Sequence, residues 1–199
     1  MKADNSIKLV LIFACILFVA CSEGLDEGLD IKPTGQVSQD AYWSTERDAQ
    51  LAVNAIYNEL DGTQSVIALD GVTDLGFHSA SNVPTFNDVR LGEIDASNGT
   101  ITAIWERYFR GVAKANDVLA NIDQVDEGDP EVLARLKAET RFLRAFYYTQ
   151  LSSLWCNAPL ILEPLDVNEQ RPANSREEIV TFVISELDDI INSEALPLS

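Results

Sequence analysis

Few residues in this 199-residue chain have side chains suited to covalent or metal chemistry: three cysteines, Cys15, Cys21 and Cys156, and one histidine, His78. A cysteine nucleophile needs a neighbouring base or a positive environment to form its thiolate, and no local motif supplies either. Cys156 is therefore expected to be a small, half-buried apolar residue with no catalytic role. One histidine and one cysteine beyond residue 21 are too few for a zinc centre. No D-x-[DN]-x-[DN]-G calcium loop occurs, and G-x-S-x-G, G-x-x-x-x-G-K and H-E-x-x-H are absent as well. Asp and Glu number 32, but that abundance makes any chosen pair uninformative as a glycosidase dyad. The chain reads as a non-enzyme, with neither a cofactor nor a metal.

Binding chemistry gathers between residues 62 and 98. Asp74, Phe77, His78, Asn82, Phe86, Asn87, Asp88 and Arg90 fall within seventeen residues of one another. An aromatic face can cover a sugar ring, while planar amides, carboxylates and guanidinium groups meet adjacent hydroxyls in pairs. The same composition also suits a solvated loop packed on a neighbouring element. A second candidate is RFLRAFYY, residues 141–148, where Arg141 and Arg144 share one helix flank. They could clamp a carboxylate or a sugar. The weightier reading pairs them with carboxylates on adjacent helices, because aromatics at helical spacing belong to a core. Trp43, Trp105 and Trp155 lie on or beside apolar stripes and are read the same way.

Cys21 stands at a border. MKADNSIK is short and polar with two lysines, and LVLIFACILFVA, residues 9–20, is an unbroken apolar run. As a helix that run reaches about 18 Å, short of a hydrocarbon core of about 30 Å, so it reads as an export signal. Ala20 supplies the small residue before the cleavage point. FVAC resembles the lipobox of bacterial lipoproteins, with Phe18 where leucine is usual, and this implies acylation of Cys21. Cys15 is a weaker rival because it leaves too short an apolar run. With Cys15 removed and Cys21 acylated, Cys156 has no intrachain disulfide partner. The acidic SEGLDEGLD follows at once. Loss of residues 1–20 leaves 12 basic against 31 acidic residues, a charge of −19. Such a surface repels phosphate backbones, so no nucleic-acid partner is expected.

The elements that must position the binding residues are helical. Residues 1–20 form the signal, 21–37 the lipidated cysteine and acidic tether, and 38–199 a helical domain. Thr45 reads as an N-cap for a helix carrying Ala49, Ala52, Val53, Ile56, Tyr57 and Leu60 on one face and stopped by Gly62. A long helix spans about 100–126, with Ile101, Ile104, Trp105, Tyr108, Val112, Ala115, Leu119 and Ile122 as its stripe. After the break at EGDP, Asp129 caps and Pro130 opens a second long helix reaching Leu154. So short a connection predicts antiparallel neighbours. The proline-punctuated 157–174 is extended. SREE is a capping box for a last helix carrying Ile179, Phe182, Val183, Leu187, Ile190 and Ile191. RYFR and RFLR are 34 residues apart, but that offset maps one helix onto its own partner and is weak support for a repeat.

Three stretches in order, LDIKPTGQVSQDAYWSTERDAQLAVNAIYNEL, RYFRGVAKANDVLANID and ETRFLRAFYYTQLSSLWCNAPLILEPL, resemble the SusD/RagB family of outer-membrane nutrient-uptake lipoproteins. The resemblance covers nearly all of the chain after Cys21. It implies an all-α fold of tetratricopeptide-like helical hairpins with long loops. It also implies a lipid-anchored, surface-facing protein that captures a glycan, with a peptide as the other ligand class, and passes it to a SusC-like TonB-dependent transporter. The alternative is a helical module that docks on the transporter without touching nutrient. The acidic run resembles the export tags of such lipoproteins, and glycan contacts are often placed in the loop corresponding to 62–98. Members are usually more than twice as long, so the resemblance implies an N-terminal portion. Where they usually have glycine after the second long helix, this chain has Cys156, which implies a strained turn there.

Overall fold

The computed structural model describes residues 42–60, 73, 91, 92, 95, 97–166 and 169–196. The chain divides into two compact units, Met1–Tyr42 and Trp43–Ser199, and the described elements belong to the second. Four helices build it: α1 (Glu46–Tyr57), α2 (Gly99–Asn121), α3 (Pro130–Trp155) and α4 (Arg176–Ser193). Two isolated bridges, Thr45 with Glu127 and Ala158 with Asn174, are the β pairings among the described residues, so the described fold is all-α.

Local chemistry sets the helix starts. The Thr45 hydroxyl accepts from the Asp48 amide at 3.3 Å, and the Asp48 carboxylate accepts from the Thr45 amide at 2.9 Å. Ser175 and Glu178 repeat that reciprocal box at α4. Asp129 caps α3 by accepting from the Glu131 amide, and Pro130 takes the first helical position, where its missing N–H leaves nothing unpaired. The turn before α3 is tied to the start of α1. The Glu46 amide donates to the Glu127 carbonyl at 2.9 Å, and the Asp129 amide donates to the Glu46 carboxylate at 3.0 Å.

Some boundaries differ from the expectation. α1 stops at Tyr57, capped by Asn58, and Gly62 lies outside the described residues. α2 ends at Asn121, and a single 3-10 turn, Ile122–Gln124, replaces its last α-helical residues.

α2 and α3 run antiparallel, as three contacts along their length show. Trp105 meets Trp155 edge-on at 5.2 Å, Asn116 accepts from Arg144 at 2.9 Å, and Asp123 pairs with Lys137 at 2.7 Å. Close approach is made possible by Gly111. A Cβ there would lie 2.5 Å from Cζ and 2.7 Å from Cδ2 of the buried Tyr147 ring. Tyr147 uses its hydroxyl to reach the Ile56 carbonyl of α1 at 2.7 Å, so one side chain joins three helices.

α3 packs against α1, α2 and α4. That position explains its weak one-sidedness. Leu136, Leu143, Tyr147 and Leu151 are buried as the apolar spacing predicts, but so are Ala138, Thr140, Arg144, Ala145, Tyr148 and Ser152. A helix surrounded by partners buries most of its faces. Trp43 is buried, whereas Trp105 and Trp155 are half-buried within the ring cluster with Tyr108 and Phe109.

Cys156 corrects the expectation of half-burial, because its side chain is exposed. Its backbone bears out the strain expected of a residue in glycine's place, with φ 64° and ψ −62°. The Asn157 amide donates to the Trp155 carbonyl at 2.7 Å, so Cys156 is the centre of a γ-turn of the rare positive-φ kind. The turn reverses the chain out of α3 at once, and the reversal leaves the thiol pointing to solvent.

Candidate functional site

The residues picked out for binding, Asp74, Phe77, His78, Asn82, Phe86, Asn87, Asp88 and Arg90, lie outside the described residues, as does Cys21. The structure does describe the frame from which their loop departs. At the end of α1, the Lys114 ammonium donates to the Ala55 carbonyl at 3.2 Å and to Glu59 at 2.6 Å, and Arg110 reaches the same carboxylate at 3.3 Å. α1 has no basic residue in its own last turn, so α2 supplies the positive charge that a helix C-terminus favours. Burial pulls the Glu59 carboxyl up, but Lys114 and Arg110 together hold it below its ordinary value. At the start of α2, Asp95 accepts from the Ser97 amide at 2.8 Å and from its hydroxyl at 2.6 Å, and Asn98 accepts from the Ile101 amide. Those Ser97 hydrogen bonds keep the Asp95 carboxyl below the usual range. Both flanks of the loop are thus held by side-chain chemistry.

Arg141 and Arg144 do not form a ligand clamp. Arg141 donates through Nε to Glu186 at 2.6 Å and through Nη2 to Asp189 at 3.0 Å. Arg144 pairs with Glu186 on its other oxygen and donates to Asn116 Oδ1 and to the Leu162 carbonyl at 3.2 Å. Its guanidinium also lies over the Phe182 ring at 5.6 Å. Among the described residues, these two arginines donate to groups that the fold itself supplies.

Around Arg144 a buried polar hub takes shape, and it fixes the extended strap after α3. Asn116 donates to the carbonyls of Ile161 and Glu163 at 3.0 and 3.3 Å. Tyr148 both donates to the Ile161 carbonyl and accepts from the Ile161 amide, so one hydroxyl satisfies both backbone groups of a residue. Burial pushes the Tyr148 phenol up to about 12. Asn174 holds the strap from the far side by accepting from the Leu160 amide at 3.0 Å. Sequence reasoning missed Asn116 and Glu186. Each stands among apolar residues at core spacing, and that misplacement is the signal that could have found them, since a buried polar residue must have partners.

Two shallow depressions lie at the surface of α4. One, of about 520 Å³, is lined by Glu177, Glu178, Thr181, Phe182 and Ser185, and its ring is engaged by Tyr148 and Arg144. The other lies between the start of α3 and the end of α4 and has no aromatic lining. Neither joins a free aromatic face to planar polar groups. No cluster of three His, Cys, Asp or Glu side chains that could hold a metal ion occurs among the described residues.

A family model described as "Starch-binding associating with outer membrane" matches residues 29–187. A SusD-like protein of Formosa agariphila is 28% identical over 94% of this chain and 37% of its own length. One from Bacteroides ovatus is 26% identical over 93% of this chain and 34% of its own length. The chain thus spans little more than a third of these relatives. Among solved structures, Surface glycan-binding protein A from Bacteroides uniformis superposes with a TM-score of 0.69 at 24% identity, over 78% of this chain and 36% of that one. A laminarin binding SusD-like protein gives 0.66 at 24% identity, over 79% and 36%. These superpositions show a shared fold.

Proposed function

The chain belongs to the SusD/RagB family, and from that membership we propose that it is a binding protein which captures oligo- or polysaccharide and hands it to a SusC-like TonB-dependent transporter. The observation that carries the proposal is the family match across 29–187, which spans the whole loop 62–98 and its sugar-compatible residues. Two relatives whose names specify glycan or laminarin binding support a carbohydrate over a peptide.

The first test is calorimetric titration of the chain with laminarin, starch and a panel of other polysaccharides. Heat of binding that is lost in the Phe77→Ala and Phe86→Ala variants supports capture through the loop. Flat traces with intact helical circular dichroism favour the second reading, a helical module that docks on the transporter without touching nutrient.

Membership also supports an outer-membrane location with a lipid anchor on Cys21 and a surface-facing body. Metabolic labelling with a fatty-acid analogue is expected to mark the wild type and not Cys21→Ala. Label on both chains removes the anchor from the proposal.

A further inference from the structure

α1 and α3 pack side by side and run the same way, since Glu46 meets Asp129 at their starts and Tyr57 meets Glu139 further along. At the exposed rim of this seam each helix presents residues at steps of four and three. On α1 they are Gln50, Asn54 and Tyr57, and on α3 Arg135, Glu139 and Phe142. That spacing keeps each trio on one face over a length of about 10 Å. The apolar spacing of α1 includes Tyr57, yet Tyr57 is 41% exposed, and Phe142 is 46% exposed. The Tyr57 hydroxyl donates to Glu139 at 3.5 Å, and Arg135 pairs with the same carboxylate. At that length the tyrosine hydrogen bond is weak, so a ligand hydroxyl can replace it. On the other wall the Gln50 amide donates to Asn54 at 3.0 Å. Burial and then Glu139 raise the Tyr57 phenol, so its ring is uncharged at neutral pH. Stability gives little reason for this set, because an exposed ion pair contributes little and Arg before Glu is the weaker order along a helix.

We infer that this rim is a second carbohydrate site, distinct from the loop 62–98, and that it takes a segment of uncharged glycan. One sugar ring lies on the exposed face of Tyr57. The amides of Gln50 and Asn54 meet its hydroxyls from α1, and the Arg135–Glu139 pair meets them from α3, each group planar and able to engage two neighbouring hydroxyls. The length of the rim exceeds one sugar ring, so the ligand is a stretch of chain rather than a monosaccharide. Charge selects the uncharged class. Arg135 and Glu139 cancel locally, whereas the chain as a whole carries −18 and repels uronic or sulfated sugars. The ligand class rests on the reading of the chain as a glycan-binding protein. The place does not, because it is built from helix residues whose contacts the structure describes.

The test follows the side-chain amide signals of Gln50 and Asn54 by nuclear magnetic resonance in the isotope-labelled 199-residue chain. Soluble oligosaccharides of laminarin and of starch are the probes, with an alginate oligosaccharide as the anionic comparison. Saturable movement of both amide signals is expected with at least one uncharged probe, and it is expected to persist in the Phe77→Ala, Phe86→Ala double variant. Tyr57→Ala and Asn54→Ala, read at Gln50, are each expected to weaken binding roughly tenfold. Leu51→Ser, at an exposed position about a third of a turn round α1 from Tyr57, is expected to be silent. Circular dichroism checks each fold, and if Tyr57→Ala unfolds the chain, Asn54→Ala on the surface decides alone. Amide signals that stay still while calorimetry detects binding overturn the inference and leave glycan capture by the loop standing. Movement that vanishes in the loop double variant does the same, and so does tighter binding of alginate. Absence of binding by any probe in both measurements overturns the rim and glycan capture together.

Discussion

Replacing Cys156 by glycine is expected to stabilise the protein, and the expected size follows from the γ-turn. A residue with a Cβ held at φ 64° and ψ −62° occupies a sparsely populated region, at a cost of about 1–3 kcal/mol. Glycine removes that cost. It also gives the unfolded chain more freedom, which takes back about 0.5–1 kcal/mol. Little packing is lost, because the thiol is exposed. The balance is a gain of about 1 kcal/mol, or about 2–4 °C in unfolding midpoint for a chain of this size. Two controls isolate the backbone. Cys156→Ala removes the thiol but keeps the Cβ, so its midpoint is expected to match wild type. Cys156→Val adds a β-branch at positive φ and is expected to lower it. Thermal melts followed by far-ultraviolet circular dichroism under reducing conditions compare all four chains. A glycine variant no more stable than the alanine variant would falsify the claim that this turn is strained.

Gly111→Ala gains about 1 kcal/mol in helix propensity, yet the new methyl collides with Tyr147, so a net loss of about 1–3 kcal/mol is expected in urea unfolding. A neutral result would mean that α2 and α3 can move apart freely. Glu186→Ala leaves Arg144 buried without its carboxylate and is expected to cost about 3–5 kcal/mol, whereas Arg141→Ala, at a more exposed pair, is expected to cost well under half of that. Equal losses in the two urea titrations contradict the hub. The Tyr148 phenol is raised to about 12 in the folded chain by burial, so the folded state binds that proton more tightly than the unfolded state. Its contribution is complete below about pH 10 and is lost as pH rises through about 12. Stability measured between those values is expected to fall more steeply for wild type than for Tyr148→Phe, and parallel curves refute the assignment.

The caps show where sequence was sufficient. Thr45 with Asp48, Asp129 with Pro130, and Ser175 with Glu178 are local chemistry, so residue types a few positions apart decide the geometry. The pairing of Arg141 and Arg144 with carboxylates was legible in kind, because charged groups inside a bundle need partners. Which carboxylates they meet was not, since Glu186 lies 42 residues beyond Arg144 and the contact depends on tertiary packing. Ile191 belongs with Ile190 to the apolar residues that the last helix carries, yet Ile190 is buried and Ile191 exposed, because periodicity reports how apolar residues are placed and not how many neighbours a helix has. Leu119 was placed on the stripe of α2, and its neighbour Val118 is the more deeply buried of the two. The loop residues Asp74 to Arg90 lie outside the described residues and are read from residue type and family membership.

The hub at Arg144 also bears on the order in which the chain can fold. Arg144 draws on Asn116, which precedes it, on the Leu162 carbonyl in the strap, and on Glu186, which is made last. Until α4 has been synthesised, Arg144 lacks its carboxylate partner, and the face of α3 that α4 covers stays open to solvent. The hub is therefore complete only when the C-terminal end of this segment is in place.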